Sequence, residues 1–267
     1  MRKTILITGS TDGIGLETAK SLLSEGHRVL VHGRNAEKLR QVGEQLQAQA
    51  SADQVELLGA DLSDLSEVYR LAEDIRQCAN HIDVVINNAG IFKTDNTVAS
   101  NGVDVRFMVN AIAPWVLTRT LLTLFSRDAR VINLSSAAQK PVSLAAIQGE
   151  ESISDDFEAY AQSKLALTMW SMEPTAIDLS SQQSIVAVNP GSMLGSKMVK
   201  EGFGVQGNDI GIGVRILQHL AVELGSIRSR QYFDNDVGDY AKPHPDAENS
   251  EQRLAVLSAM NYIASKA

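Results

Sequence analysis

The 267-residue chain contains one cysteine, Cys78. That excludes an intramolecular disulfide and a cysteine-rich metal site; Cys78 is expected on a buried helix face. The five histidines, His27, His32, His81, His219 and His244, share no ligand spacing. Metal-dependent hydrolysis therefore lacks its ligands, and each histidine reads as a surface or strand-end residue. No apolar run is long enough to span a membrane, and no signal peptide precedes the first strand. The absence of a long basic run and a formal charge of −8 argue against a nucleic-acid surface; the acidity serves solubility. These absences point to a cytoplasmic protein with no metal. Aromatic residues make up only 5%, and Trp115 and Trp170 fall in helical patterns as core residues. What is abundant is ordinary globular material, 44% hydrophobic and 21% charged, enough for a sizeable core. No repeat or linker divides it, so residues 1–267 read as one domain.

Thr4 to Thr8 reads as a short buried strand. Gly9-Ser10-Thr11-Asp12-Gly13-Ile14-Gly15 follows, and then a helical pattern at Leu16, Ala19, Leu22 and Leu23. Strand, glycine-rich turn and helix are the parts of a dinucleotide site, because glycines let the backbone approach a pyrophosphate that faces the helix-start amides. The spacing is G-x-x-x-G-x-G rather than G-x-G-x-x-G. A second strand, Arg28 to His32, ends at Gly33-Arg34-Asn35 with no acid. An arginine there suits a 2′-phosphate, which favours NADP over NAD, although Asp12 in the glycine turn could oppose that phosphate.

Further strands are expected at Val55 to Leu58, Ile82 to Ile86, Arg130 to Leu134, Ser184 to Val188 and Gln231 to Phe233. Helices are expected at Ala36 to Ala48, Ser66 to Ala79, Gly102 to Phe125, Glu158 to about Ser180, Arg215 to Leu224 and Ser250 to Ala264. Pro174 should kink or end its helix; Leu254, Leu257 and Ile263 should face inward from the last. Asp61 either accepts a bond from an adenine or caps the next helix, with Ser63 as rival. Ala137 to Phe157 reads as a polar, loop-like insertion with an acidic second half, and Ser192 to Gly213 as a glycine-rich flap. Alternating strands and helices make an α/β fold, a doubly wound parallel sheet of about seven strands with helices on both faces. Such sheets bind ligands beyond the C-terminal strand ends, where Gly9, Asp61, Asn88 and Ser136 all fall.

Within Phe157 to Leu167, Tyr160 and Lys164 share one helix face. A nearby ammonium favours a phenolate, so the pair is suited to acid–base work. Asn110 lies inside an apolar helix, where Asn is a poor helix former.

Together, the glycine turn after Thr8, Asp61-Leu62, Asn87-Asn88-Ala89-Gly90, Asn110, Ser136, Tyr160-x-x-x-Lys164 and Pro190-Gly191 resemble the short-chain dehydrogenase/reductase family in its single-domain form. The likeness covers about residues 4 to 195 in family order. It implies an NAD(P)(H)-dependent oxidoreductase interconverting a carbonyl and an alcohol. Tyr160 would be the proton donor or acceptor, Lys164 would lower its pKa and hold the nicotinamide ribose, and Ser136 would bond the substrate oxygen. Asn110 would hold a water linking Lys164 to solvent. The glycine turn would hold the pyrophosphate, Asp61 and Leu62 the adenine, Asn88, Ala89 and Gly90 the adenosine ribose side, and Pro190 and Gly191 the nicotinamide. The 24 residues from Ser136 to Tyr160, and the late Gln231-Tyr-Phe-Asp, are similar to the retinol dehydrogenase and protochlorophyllide reductase side of the family. That implies a larger, partly apolar small-molecule substrate; the family also forms homo-oligomers. The usual threonine after Pro-Gly is absent, with Ser196 as a displaced substitute, and Ser135 is a rival for Ser136. The alternative is a non-catalytic NADP(H)-binding sensor; such proteins commonly lose the Tyr or the Lys, and both are here.

Overall fold

A computed structural model describes residues 1–223, 225 and 227–267, and of Phe203 the backbone only. The chain opens with β1 (Thr4–Ile7), α1 (Gly13–Ser24), β2 (Arg28–Gly33), α2 (Ala36–Gln47), β3 (Val55–Gly59), α3 (Leu65–Cys78) and β4 (Ile82–Asn87). A broken helix follows as α4 (Val105–Phe107), a π turn (Met108–Ile112) and α5 (Ala113–Thr120). Next come β5 (Phe125–Leu134), α6 (Leu144–Ile147), α7 (Asp156–Met172), β6 (Ser184–Asn189), α8 (Lys197–Phe203) and α9 (Gly211–Val222). The chain closes with β7 (Gln231–Asp234), β8 (Asp239–Ala241), α10 (Pro245–Glu248) and α11 (Ser250–Ala264).

The sheet order is β3-β2-β1-β4-β5-β6-β7-β8. All pairings are parallel except β7 with β8. The doubly wound sheet is thus as expected, with eight strands among the described residues rather than about seven. Short apolar strands such as Ile5-Leu6-Ile7 are fully buried because helices cover both faces. One core layer joins the sheet to α3, α5, α7 and α11, the other to α1, α2 and α9. Each fully buried Leu, Ile or Val contributes roughly 1.5–3 kcal/mol.

Several boundaries move for local reasons. The helix expected over Gly102 to Phe125 starts only after Asp104 caps it at Arg106 N, and β5 already begins at Phe125. The helix of Tyr160 starts at its cap Asp155 and stops at Met172, because the residue before Pro174 is driven out of the α region. α3 is capped by Asp64 rather than by Asp61 or Ser63. The last helix points Leu257 and Ile263 inward, but Leu254 is 48% exposed. Cys78 is half-buried at the end of α3. Ala137 to Phe157 is not purely a polar loop, since α6 places Ala146 and Ile147 in the core. The expected flap holds α8, capped by Ser196. Leu224, the expected end of the helix here seen as α9, lies outside the described residues.

Candidate active site

The C-terminal strand ends enclose a cleft of about 440 Å³. Its first wall is the glycine turn. Gly9 has φ +64°, and a Cβ there would lie 2.8 Å from Ala89 Cα. A Cβ on Gly15 would lie 2.4 Å from Asn88 Nδ2. Only glycine lets the turn and the Asn88 segment approach this closely. Asn88 staples the two, its Nδ2 donating to Thr8 O (2.8 Å) and Gly9 O (3.0 Å). Asp12 caps α1 at Gly13 N, and the first intrahelical bond is Leu16 N to Asp12 O. The Ile14 and Gly15 amides at this helix end therefore have no intrahelical acceptor. Thr11, Gly13 and Ile14 line the cleft. Ser10 does not: it is fully buried, its Oγ donating to Ile7 O at 2.8 Å.

At the outer end, Arg34 is exposed beside the cleft. The charge of Asp12 is not left to oppose an anion there, because Lys38 Nζ lies 2.5 Å from Asp12 Oδ2 and holds that carboxyl below its ordinary range. Asp61 lines the cleft with Leu62 while its carboxylate accepts from Ser63 N and Oγ.

At the inner end, Tyr160 and Lys164 rise from α7. The start of α7 is fastened by Arg106, a fully buried guanidinium that donates to Asp104 and to Asp156, each at 2.6 Å. Lys164 is 4% exposed and donates from Nζ to Leu134 O at 2.7 Å. Burial pushes its pKa down to about 8. The Tyr160 phenol is held above its ordinary value, first by burial, with the nearby Ser136 hydroxyl pulling the other way. Lys164 Nζ sits 5.6 Å from the Tyr160 ring centroid while donating to Leu134 O. Phe92 packs edge-on against Tyr160, with centroids 5.2 Å apart.

The two serines separate cleanly. Ser135 borders the cleft, but its side chain is buried and its hydroxyl is paired with Thr168 Oγ1 at 2.6 Å. Ser136 Oγ accepts from Ala138 N, and its carbonyl is held by Gln139 Nε2 (3.0 Å) and the Tyr232 hydroxyl (3.2 Å). Asn110 sits on the π turn, a distortion frequent at functional sites. Its Nδ2 donates to Ile91 O and Ser163 Oγ, and its Oδ1 accepts from Ile91 N. A Cβ on Gly90 would lie 3.4 Å from Lys164 Nζ and 3.5 Å from Asn110 Oδ1. Pro190 lines the cleft, and Gly191 turns the chain after β6 at φ +127°. Ser196 caps α8 through Val199 N.

The sequence reading passed over Lys38, Phe92 and His32. Lys38 stands one turn into α2, a place that reads as solvated surface. His32 reads as a strand-end histidine but is 3% exposed, and its ring bridges Gly9 N and Ala60 O. Its position at the end of an inner strand was the available signal. Among the described residues no helix is long and apolar enough to cross a membrane, and no group of His, Cys, Asp and Glu could hold a metal.

A profile of the family described as short chain dehydrogenase matches residues 3–203. Retinol dehydrogenase 12 of Bos taurus is 32% identical over 75% of this chain and 64% of its own length. A WW domain-containing oxidoreductase of Drosophila melanogaster is 31% identical over 73% of this chain and 50% of its own. The chain thus spans between half and two thirds of the length of these curated relatives. Among solved structures, one from Mycobacterium paratuberculosis has TM-score 0.80 at 23% identity, covering 98% of this chain and 93% of that one. A short chain dehydrogenase from Escherichia coli CFT073, complexed with NADPH, has TM-score 0.69 at 24% identity, covering 87% and 96%. With the profile spanning the strands and helices that build the cleft, this chain belongs to the short-chain dehydrogenase family.

Proposed function

We propose that the protein interconverts an alcohol and a carbonyl compound using NADP(H), with Tyr160 as proton donor and acceptor. The observation that carries this reading is that Tyr160 and buried Lys164 line the inner end of a glycine-walled cleft, with the Ser136 hydroxyl hydrogen-bonded to the Tyr160 phenol. The glycine turn fits a dinucleotide: it leaves no room for a Cβ at Gly9 or Gly15, and helix-start amides are available beyond it. When bound, the nicotinamide supplies or takes the hydride.

In carbonyl reduction the Tyr160 hydroxyl gives its proton to the substrate oxygen, and Ser136 Oγ donates to the same atom. At neutral pH the Tyr160 phenol carries the proton that the acid role needs, while burial, by raising its pKa, makes it the weaker donor. Lys164 offers its ammonium to the nicotinamide ribose, and Asn110 Oδ1 keeps a lone pair beyond the Ile91 amide for a relay water. The turn that Gly9 shapes holds the pyrophosphate through Thr11 to Gly15, Asp61 and Leu62 hold the adenine, Asn88 to Gly90 the adenosine ribose side, and Pro190 and Gly191 the nicotinamide. Arg34 supports NADP over NAD, as does the neutralisation of Asp12 by Lys38. Phe92 beside Tyr160, and the names of the retinol dehydrogenase relatives, support a partly apolar substrate.

The test is Tyr160→Phe, assayed with NADPH and NADH over aldehydes, ketones and quinones. The expected result is loss of at least about a hundredfold in turnover with cofactor affinity kept. Ordinary activity in the variant refutes the assignment. NADP(H) binding by a wild type that turns over no carbonyl would favour the sensor reading.

A further inference from the structure

His32 is one of five histidines, and the chemistry above makes no use of it. Its surroundings are unusual for a strand-end residue. Backbone and side chain together grip the glycine turn: His32 N donates to Ser10 Oγ (2.9 Å), Ser10 N donates to His32 O (2.9 Å), and Gly9 N donates to Nδ1 (3.1 Å). On its other side the ring reaches Ala60 O from Nε2, also at 3.1 Å. One tautomer satisfies both contacts. Nδ1 must be bare to accept from Gly9, so Nε2 carries the hydrogen and donates to Ala60.

We propose that His32 is the positioning residue of the cofactor cleft: its neutral ring ties the glycine turn after β1 to the segment after β3, and dinucleotide affinity depends on the Gly9 bond. The proposal rests on the cofactor reading given above. The tie joins the two places where opposite ends of the ligand would lie, the pyrophosphate turn on one side and Ala60-Asp61-Leu62 on the other. It also takes the Gly9 amide out of play as a phosphate donor. Gly9 then serves by its backbone shape, at φ +64° against Ala89, and His32 holds that shape.

The groups around the ring keep it neutral. The turn presents Gly9 and Ser10, neither ionisable, and β3 places Leu58 beside it in register. Asp61 is the charged group that bears on the ring and favours its protonation; burial outweighs it. From α3, Glu67 is occupied with the Asp61 amide at 2.7 Å. Arg34 lies two residues on along the chain and is exposed. An imidazolium would turn an Nδ1 hydrogen against the Gly9 N–H, so it cannot make the tie.

Two substitutions divide the ring's functions. In His32→Asn the side-chain oxygen falls near the place of Nδ1 and can still accept from Gly9, while the Ala60 contact is lost. In His32→Gln the amide reaches toward the place of Nε2, and the Gly9 acceptor is lost. NADP+ and NAD+ dissociation constants are measured by calorimetry on the full chain. Hydrogen exchange of a peptide covering residues 5–15, which contains the Gly9 amide, is followed without cofactor. His32→Asn should bind NADP+ within about threefold of wild type, and His32→Gln about tenfold more weakly, with faster exchange at the Gly9 amide. Equal affinity in both variants, or unchanged Gly9 exchange in His32→Gln, overturns the proposal. If His32→Gln does not fold, His32→Leu replaces it as the variant without the acceptor. If neither variant lacking the acceptor folds, His32→Asn decides alone, since binding more than tenfold weaker than wild type contradicts the claim. A wild type that binds neither dinucleotide refutes the cofactor reading and with it the claim about affinity. The exchange data still decide whether His32 holds the turn.

Discussion

Lys164 donates from Nζ to the carbonyl oxygen of Leu134 at 2.7 Å, so the ammonium of α7 is anchored on the last residue of β5. That anchor puts a cation where little water reaches. Burial lowers its pKa from 10.5 to about 8. Between those values the unfolded chain keeps a proton that the folded chain has released, so stability rises with pH across the window. Below pH 8 the full cost of the buried cation is present. Lys164→Met removes that cost, offset by the Leu134 carbonyl losing its donor. The variant should gain about 1–3 kcal/mol at pH 7 and lose the advantage above pH 10.5. Urea unfolding at pH 7, 9 and 10.5 checks this. Turnover should be lost in the same variant, the usual conflict between a functional charge and stability.

The doubly wound sheet and the gathering of the glycine turn and the Asn88 segment at its strand ends were legible because they rest on local patterns. Short β-branched runs bounded by glycine or asparagine mark β1 and β4, and the residues just past them fall at strand ends by topology alone. What the pattern could not show was side-chain pairing across elements. Lys38 and Asp12 are 26 residues apart and meet only once α2 lies beside the glycine turn. His32 shows its bridging role only when β1 and β3 flank β2. Helix spacing places Lys164 on the face of Tyr160, but it could not show the Leu134 carbonyl, distant in sequence, to which its Nζ donates. The π turn at Asn110 was foreshadowed by an asparagine within an apolar helix, though not as a break in the helix itself.

The neutral ring of His32 also predicts acid sensitivity. Burial takes its pKa from 6.5 to about 4. As pH falls through that interval the unfolded chain takes up a proton that the folded chain refuses, and stability is lost. The ceiling is about 3 kcal/mol. Denaturant midpoints at pH 7, 5.5 and 4.5 should fall steeply for wild type and more shallowly for His32→Asn, which has nothing to protonate there.

Arg34 flanks the cleft, while Lys38 is spent on Asp12. On the proposed NADP reading, the two cations would act by different routes. Arg34→Ala removes a partner for the 2′-phosphate and should weaken NADP+ about tenfold or more, leaving NAD+ within about twofold. Lys38→Ala instead uncovers the Asp12 carboxylate, and its weaker penalty on NADP+ should vanish in Asp12→Asn/Lys38→Ala. Paired titrations with the two cofactors distinguish these effects. An Arg34→Ala variant with unchanged NADP+ affinity ends the arginine assignment.

Gly202 makes the flap answer to Tyr160. A Cβ on Gly202 would lie 2.4 Å from Phe92 Cε1 and 2.5 Å from Cδ1, and the Phe92 ring in turn stands edge-on to Tyr160 at an interplanar angle of 76°. Gly202→Ala must therefore move either α8 or the ring. Its backbone is not in the left-handed region, so the substitution brings no strain of its own. Within a helix, alanine is favoured over glycine by about 1 kcal/mol. Overpacking costs about 1–3 kcal/mol, so thermal stability should stay level or fall slightly while kcat/KM falls roughly tenfold, because a small displacement beside the proposed proton donor spoils its alignment. Trimming the ring should relieve the clash, so that Phe92→Leu/Gly202→Ala loses less than the two single changes added together. Steady-state kinetics on the four proteins, with melting temperatures alongside, test the coupling. Additive losses would mean that the flap and Tyr160 are independent.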